Sequence, residues 1–138
     1  MEISKTFRFE ASHILPKHPG KCSRLHGHSW VLTVFVEGPL NPETGFVMDY
    51  ADISGHIKPL IERLDHRHLG TWPFAPIQND PWMVAGMSVV FYPTSENLLW
   101  WIARQMLIPW SKITLHETCT SSATLTREEF DRAKENKK

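Results

Sequence analysis

The stretch HGHSWVLTVFVE, residues 26–37, decides the fold of this chain. It is rich in β-branched and aromatic residues, and it is followed by the turn-forming sequence GPLNPETG, so it predicts a β-strand. Because side chains alternate between the two faces of a strand, His26 and His28 point to the same side. We therefore predict a strand that presents two histidines together at its beginning.

A second strand is predicted upstream, over KTFRFEASH, residues 5–13. Apolar and polar residues alternate along it, and His13 falls on the apolar face. If the two strands pair antiparallel, the imidazoles of His13, His26 and His28 can converge, and three imidazoles with one open position form a typical catalytic zinc site. Any single one of these histidines is more simply a core or surface residue, so the metal hypothesis depends on the trio.

Two helices are predicted in the middle of the chain. Asp49 can cap the first and Thr94 the second, and each helix carries one apolar stripe at helical spacing. The first helix leads into LDHRHLG, residues 64–70. Asp65 and His66 are therefore expected near its end.

The last part of the chain predicts one more strand and a short helix. Residues 111–118, SKITLHET, alternate again, and Thr126 with Glu129 forms a capping box. Further short strands are possible at residues 46–49 and 88–92. Hairpin-linked strands with helices grouped between them predict an α+β fold, a small antiparallel sheet with two helices packed on one face.

The composition suits one domain over residues 1–138. Lys plus Arg equals Asp plus Glu at 15 each, so no basic surface field favours nucleic acid, and no apolar run reaches the ~20 residues that span a bilayer. Two cysteines are too few for a disulfide framework, which predicts a cytoplasmic protein with reduced thiols. Residues of about 70–93 form a long, Trp- and Pro-containing insert, expected to be a lid, an interface arm or disordered.

Cys22 lies four residues before His26, and this spacing leaves its role open. It could be a fourth metal ligand that closes a structural site. It could equally be a reactive thiol, because Lys21, Arg24 and a nearby metal ion would favour the thiolate.

Two carboxylates are further candidates for chemistry. Asp65 beside His66 is the pairing that tunes a general acid or base, although an ordinary polar helix end is the simpler interpretation. Glu117 shares the apolar face of its strand, where an unpaired carboxylate is costly. A ligand edge with two donors could pair with it, and so could a buried arginine. The remaining histidines are assigned to the surface: His18, His56, His68 and His116.

The motifs FRFEASHILP, KCSRLHGHSW, NPETGFVMDYADI, ERLDHRHL, PTSEN and HETCTS occur along the chain in this order. Together they resemble the 6-pyruvoyltetrahydropterin synthase superfamily. The three-residue gap between Cys22 and His26 is similar to that of its bacterial 6-carboxytetrahydropterin synthases, which belong to the queuosine and 7-deazaguanine pathway. Animal members place more residues in this gap, and another branch has glutamate in place of the cysteine.

The resemblance implies a zinc-dependent lyase that converts 7,8-dihydroneopterin triphosphate to 6-carboxytetrahydropterin, with release of acetaldehyde and triphosphate. Zn²⁺ would be held by His13, His26 and His28. The implied acid–base set is Cys22, Asp65 and His66, and Glu117 would anchor the pterin ring. Candidates for the triphosphate are Lys21, Arg24, Arg63 and Arg67.

The resemblance also implies the tunnelling fold, in which three subunit sheets join into a barrel and two trimers stack as a homohexamer. Active sites in the family lie between subunits, so Glu117 is expected to serve a site whose zinc belongs to a neighbour. Gly70 and the long stretch 71–93 depart from the family pattern beside the expected site.

Three alternatives remain. The protein could form 6-pyruvoyltetrahydropterin or cleave the side chain of a related pterin. It could be a non-catalytic, zinc-stabilised pterin-binding module with Cys22 as a structural ligand. Single-stranded nucleic acid could stack on the Trp-rich insert, but the missing basic groove disfavours this.

Overall fold

The computed structural model describes residues 1–70 and 92–135. The first half contains β1 (Glu2–His13), a 3-10 turn (Lys21–Ser23), β2 (His26–Glu37), α1 (Tyr50–Glu62) and β3 (Arg67–Leu69). The second half contains α2 (Ser95–Gln105), β4 (Lys112–Thr118), β5 (Ser121–Thr126) and α3 (Arg127–Glu135). This arrangement confirms the predicted α+β class.

The strands form one sheet in the order β3-β1-β2-β4-β5. β1 and β2 pair antiparallel along their whole length, from Glu2 opposite Glu37 to His13 opposite His26. β2 with β4 and β4 with β5 are also antiparallel. β3 is different, because it runs parallel to β1 at the edge. The expected all-antiparallel sheet is therefore wrong at this one pair. β3 has only three residues, too few to show a strand pattern in the sequence.

The core lies between the helices and the inward face of the sheet. Inward residues of β1, β2 and β4 are buried together with the apolar stripes of α1 and α2. Phe9 and Trp30 stack across the first strand pair with ring centroids 6.0 Å apart. Each fully buried large apolar side chain contributes about 1.5–3 kcal/mol, so the paired ends of β1 and β2 are held in a rigid setting.

The predicted helix caps are confirmed. The Asp49 side chain accepts a backbone N–H in the first turn of α1, and that of Thr94 does the same for α2. Thr126 and Glu129 form the reciprocal capping box, with each backbone N–H donating to the other side chain at 2.9 and 3.3 Å.

Several local predictions differ from the structure. Residues 46–49 contain a bend at 47 and 48 and form no strand. β5 was not predicted, because its short polar sequence carries a weak strand signal. Tyr92 is not in a strand, and residues 88–91, like nearly all of the predicted insert, lie outside the described residues. Over residues 1–70 and 92–135, no helix has the length and apolar character needed to span a membrane.

Candidate metal centre

The three histidines predicted to converge are brought together at one end of the first strand pair. His13 ends β1 directly opposite His26, which begins β2, and His28 follows two residues later on the same face. The Nε2 atom of His13 lies 2.9 Å from that of His26 and 3.1 Å from that of His28. His13 is fully buried, whereas the other two are half-buried.

Glu117 joins this group from β4. Its Oε1 lies 3.2 Å from Nε2 of His13 and 3.1 Å from Nε2 of His28. The four donor atoms all lie within 4.8 Å of one another. The resemblance predicted that Glu117 would serve a neighbouring subunit, but in this structure it lies beside the histidines of its own chain.

Backbone carbonyls fix the protonation pattern of two of the rings. Nδ1 of His13 lies 2.7 Å from the Pro93 carbonyl oxygen, and Nδ1 of His26 lies 2.7 Å from that of Arg24. A carbonyl oxygen only accepts hydrogen bonds, so each Nδ1 carries a proton, and the Nε2 atom is left to face the centre. This second contact is typical of histidines that bind metals.

Burial keeps two of the rings neutral. It lowers the pKa of His13 and of His28, and the opposing effect of the Glu117 carboxylate does not outweigh it. Neutral imidazole is the form that binds a metal. Two lone pairs and a carboxylate that face one another repel unless a cation lies between them, so the donor set suits a positive ion.

The spacing of the donors also suits a metal ion. Ligand atoms of a tetrahedral site with bonds of ~2.0–2.1 Å lie about 3.3 Å apart. Four of the six donor separations range from 2.9 to 3.2 Å, and all six lie within 4.8 Å. The His13, His26, His28 and Glu117 group could therefore hold a metal ion.

Trp30 forms the apolar wall of this centre. Its ring meets the rings of His13 and His28 edge-on, each with centroids 5.3 Å apart. The indole Nε1–H donates to the carbonyl oxygen of Ala11 at 3.2 Å, which fixes the ring. The imidazole orientations are thus limited by packing as well as by hydrogen bonds.

Cys22 lies in the 3-10 turn and is half-buried. Its backbone carbonyl accepts the Leu15 N–H at 2.9 Å. Among the residues that the structure describes, the four-donor group does not include the Cys22 thiol. This placement disfavours the role of fourth metal ligand, and the role of a reactive thiol stays a prediction.

Asp65 and His66 pair with each other, although helical neighbours would not. Because α1 ends at Glu62 and His66 adopts a left-handed backbone with φ of 56°, the His66 Nδ1 reaches Asp65 Oδ2 at 2.8 Å. Glu10 holds both residues, because its N–H donates to Asp65 Oδ1 and its carbonyl accepts the His66 N–H. The Glu10 N–H, followed by the His66 contact, lowers the pKa of Asp65.

The Asp65–His66 pair is not part of the four-donor group, but its cavity reaches one of the donors. His66 and His28 both line a cavity of about 450 Å³, together with the outward-facing Ser12, Gly27 and Ser29. The structure therefore brings His66 to the same cavity as one predicted metal ligand, while His13 is buried.

Some of the other candidate residues also differ from expectation. Arg63 stacks on the Trp101 ring at 5.1 Å and donates to Gln105 at 3.5 Å, so it packs between α1 and α2. His68 and His116 are half-buried rather than on the surface. The other triphosphate candidates, Lys21, Arg24 and Arg67, are exposed.

A second cavity, of about 280 Å³, is lined by Glu117 and was not predicted from the sequence. Its walls include hydroxyl groups from the start of α2 and from β5. These hydroxyls belong to Thr94, Ser95, Ser121 and Ser122. Because α2 and β5 are far apart in sequence, no local motif indicated that they meet.

Comparisons with known proteins agree with this fold. The family model described as 6-pyruvoyl tetrahydropterin synthase matches residues 2–128. The chain is 38% identical over 130 residues to a 6-carboxy-5,6,7,8-tetrahydropterin synthase of Synechocystis sp., covering 88% of this chain and 89% of that one. It is 41% identical over 80 residues to the Aquifex aeolicus protein of the same name, covering 47% and 49%.

A solved structure shares the fold. The 6-pyruvoyl tetrahydropterin synthase of Caenorhabditis elegans superposes with a TM-score of 0.71 at 24% identity, covering 91% of this chain and 94% of that chain. At this level of identity the likeness concerns the fold alone.

Proposed function

This chain belongs to the 6-pyruvoyl tetrahydropterin synthase family, and we propose that it is a zinc-dependent 6-carboxytetrahydropterin synthase. The reaction is the conversion of 7,8-dihydroneopterin triphosphate and one water molecule to 6-carboxytetrahydropterin, acetaldehyde and triphosphate. The names of the relatives matched at 38% and 41% identity support this choice within the family.

The observation that carries the proposal is the convergence of three imidazoles and one carboxylate at 2.9–3.2 Å. Three nitrogen ligands and one oxygen ligand that lie within 4.8 Å of one another are well suited to Zn²⁺. His13, His26 and His28 would hold the ion. A zinc ion bound there would acidify neighbouring C–H and O–H groups of a substrate.

The cavity beside Glu117 is the proposed site of the pterin ring. The ring presents an amino group and a neighbouring N–H, and a carboxylate can accept both, as it does from arginine. Glu117 lines this cavity together with hydroxyl groups of Thr94 and Ser122. A ring bound here would lie next to the histidines.

Cys22 and the Asp65–His66 pair are the proposed proton-transfer groups. The thiolate of Cys22 would remove a proton from the substrate side chain, and His66, oriented by Asp65 at 2.8 Å, would handle the second transfer. Because active sites of the family are expected to lie between subunits, we place the pair in a site completed by a neighbouring subunit. In the part of the chain that the structure describes, β3 and β5 are the edge strands of the sheet, and such edges are suited to the proposed barrel and homohexamer.

Product identification tests the proposal. Purified zinc-loaded protein is incubated with 7,8-dihydroneopterin triphosphate, and the products are identified by mass spectrometry together with an acetaldehyde assay. We expect 6-carboxytetrahydropterin and acetaldehyde in equal amounts. A pyruvoyl product without acetaldehyde would assign the chain to the other main reaction of the family. Zinc and pterin binding without turnover would indicate a binding module.

A further inference from the structure

We propose that Tyr92 is a positioning residue for the Cys22 thiol. Its hydroxyl fastens the loop that carries Cys22 to the same short segment that orients His13, so that the thiol and the metal ligands keep one fixed arrangement. The inference rests on the proposed proton-transfer role of Cys22, whereas the contact between Tyr92 and the loop does not depend on that role.

Tyr92 contacts the Cys22 loop directly. This loop, residues 15–24, lies between β1 and β2, and the Lys17 backbone N–H donates to the Tyr92 hydroxyl oxygen at 3.0 Å. In the part of the chain that the structure describes, every other hydrogen bond of the loop stays within it or comes from the adjoining His26 ring. The Tyr92 hydroxyl is therefore the hydrogen-bonded link between this loop and a segment 75 residues away.

The contact at Lys17 reaches Cys22 through two backbone hydrogen bonds. The His18 N–H donates to the Leu15 carbonyl oxygen and closes a turn around Lys17. The Leu15 N–H donates in turn to the Cys22 carbonyl oxygen, and both distances are 2.9 Å. When Lys17 is held in place, the turn is fixed and the backbone of Cys22 is fixed with it.

Tyr92 is itself anchored by the first turn of α2. Its carbonyl oxygen accepts the Thr94 N–H at 2.8 Å and the side-chain amide of Asn97 at 2.7 Å. Leu98 and Leu99, which follow in the same helix, are buried in the core. The half-buried Tyr92 side chain thus extends from a backbone that is tied to the helix layer.

The next residue along the chain contacts the metal centre. The Pro93 carbonyl oxygen accepts the proton on Nδ1 of His13 at 2.7 Å, and His13 is fully buried. Two consecutive residues therefore hold the two parts of the proposed chemistry, a metal ligand through Pro93 and the thiol loop through Tyr92. A shift of the loop relative to this segment would move the thiol relative to the metal centre.

Proton removal depends steeply on the position of the base. The base must lie within hydrogen-bond reach of the proton that it removes, and a misplacement of about 1 Å can lower the rate ~10²-fold. The walls of the proposed ring cavity, apart from Leu15, lie outside the loop. Loosening of the loop should therefore lower kcat and leave KM close to its original value.

Tyr92→Phe tests the inference, because it removes the hydroxyl and keeps the ring. Tyr50→Phe is the matched control, since Tyr50 is the only other tyrosine of the chain and its ring lies under the Lys5 ammonium at 5.9 Å. Zinc-loaded wild type and both variants are compared in four measurements. These are metal content, hydrogen–deuterium exchange of the loop, alkylation of each cysteine by iodoacetamide, and kcat and KM for acetaldehyde release.

We expect Tyr92→Phe to keep the metal content of the wild type, because the Pro93 carbonyl remains. The Lys17 amide should exchange about 2- to 10-fold faster, the effect of losing one ordinary hydrogen bond. Cys22 should be alkylated faster, whereas the exposed Cys119 of the same protein should react at an unchanged rate. kcat should fall about 10-fold or more, with little change in KM. Tyr50→Phe should match the wild type in every measurement.

Two kinds of result would overturn the inference. Wild-type exchange and alkylation in Tyr92→Phe would show that the hydroxyl does not hold the loop, and a wild-type kcat would show that the thiol does not depend on it. Loss of metal, or a KM that rises as much as kcat falls, would assign Tyr92 to the metal centre or to the ring cavity instead.

Failure of this inference is distinguishable from failure of the proposed reaction. If the wild type releases acetaldehyde and Tyr92→Phe has the same kcat, only the positioning role is rejected. If the wild type releases no acetaldehyde, the proposed reaction is rejected. Exchange and alkylation then decide about the contact, because unchanged rates would reject the hold on the loop and faster rates would support it.

Discussion

Replacement of Cys22 by alanine separates a catalytic thiol from a structural metal ligand. The thiol is not among the four converging donors, so we expect Cys22→Ala to keep the metal content of the wild type. The proton-transfer role predicts a loss of turnover of about 10²–10⁴-fold, the usual contribution of a general acid or base.

The expected effect of Cys22→Ala on folding is small and follows from its surroundings. The hydrogen bond from Leu15 is made to the Cys22 backbone, so alanine retains it. Full burial of a methylene group stabilises a protein by ~0.8 kcal/mol. The Cys22 sulfur is about that size and is half-buried, so its removal should lower the free energy of unfolding by about 0.4 kcal/mol. A chain of 138 residues unfolds with an entropy of about 0.3 kcal/mol/K, so Tm should fall by only about 1 °C.

Three measurements on one preparation test this reasoning. Metal content is measured by elemental mass spectrometry, Tm by circular dichroism and turnover by acetaldehyde release. Cys119→Ala is the control, because Cys119 is exposed in the turn between β4 and β5, and all three values should stay unchanged. Loss of both metal and folding in Cys22→Ala would refute the reasoning in favour of a structural ligand, and retained turnover would exclude the proposed role.

The remaining predictions concern pH, a helix cap and two glycines. Because burial lowers the pKa of His13 and His28, the metal-free protein should lose stability as pH falls below about 6.5, where the unfolded chain takes up protons that the folded chain does not. Thr126→Ala removes one partner of the capping box and should cost about 1 kcal/mol, or about 3 °C in Tm. Gly45→Ala should destabilise by about 1 kcal/mol because its φ is 75°. Gly27→Ala should be tolerated, since the new Cβ meets only ordinary contacts from 3.4 Å outward.

Each of these outcomes can be contradicted by a simple comparison. Urea unfolding of the metal-free protein that is independent of pH between 7 and 5 would show that the folded histidines titrate normally. Thr126→Ser should keep the wild-type Tm, since it retains the hydroxyl. Equal Tm values for the Gly27 and Gly45 variants would show that backbone conformation does not decide their difference.

The histidine trio could be predicted because strand periodicity is a local property. A period of two places His26 and His28 on one face, and antiparallel pairing brings His13 opposite. The contact of Glu117 with these histidines could not be predicted in this way. It depends on the register of β4 against β2 and on a bulge that the sequence does not indicate.

The Asp65–His66 contact could not be predicted from the sequence for a different reason. The apolar stripe of α1 continues to Leu64, which is buried, although the helix itself ends at Glu62. Only the left-handed backbone of His66 and the hydrogen bonds from Glu10 allow the neighbouring side chains to meet. Such contacts depend on residues 55 positions apart, beyond the range of helical periodicity.

The carbonyl groups of Pro93 and Arg24 that orient His13 and His26 have a consequence for how this site varies among relatives. A main-chain oxygen is present whatever the side chain, so residues 24 and 93 can be exchanged during evolution without loss of the hydrogen bond that orients each imidazole. Insertions or deletions that shift these two backbone positions would act more strongly than substitutions. Metal affinity in this centre should therefore be robust to point mutation outside the ligands and sensitive to changes in loop length.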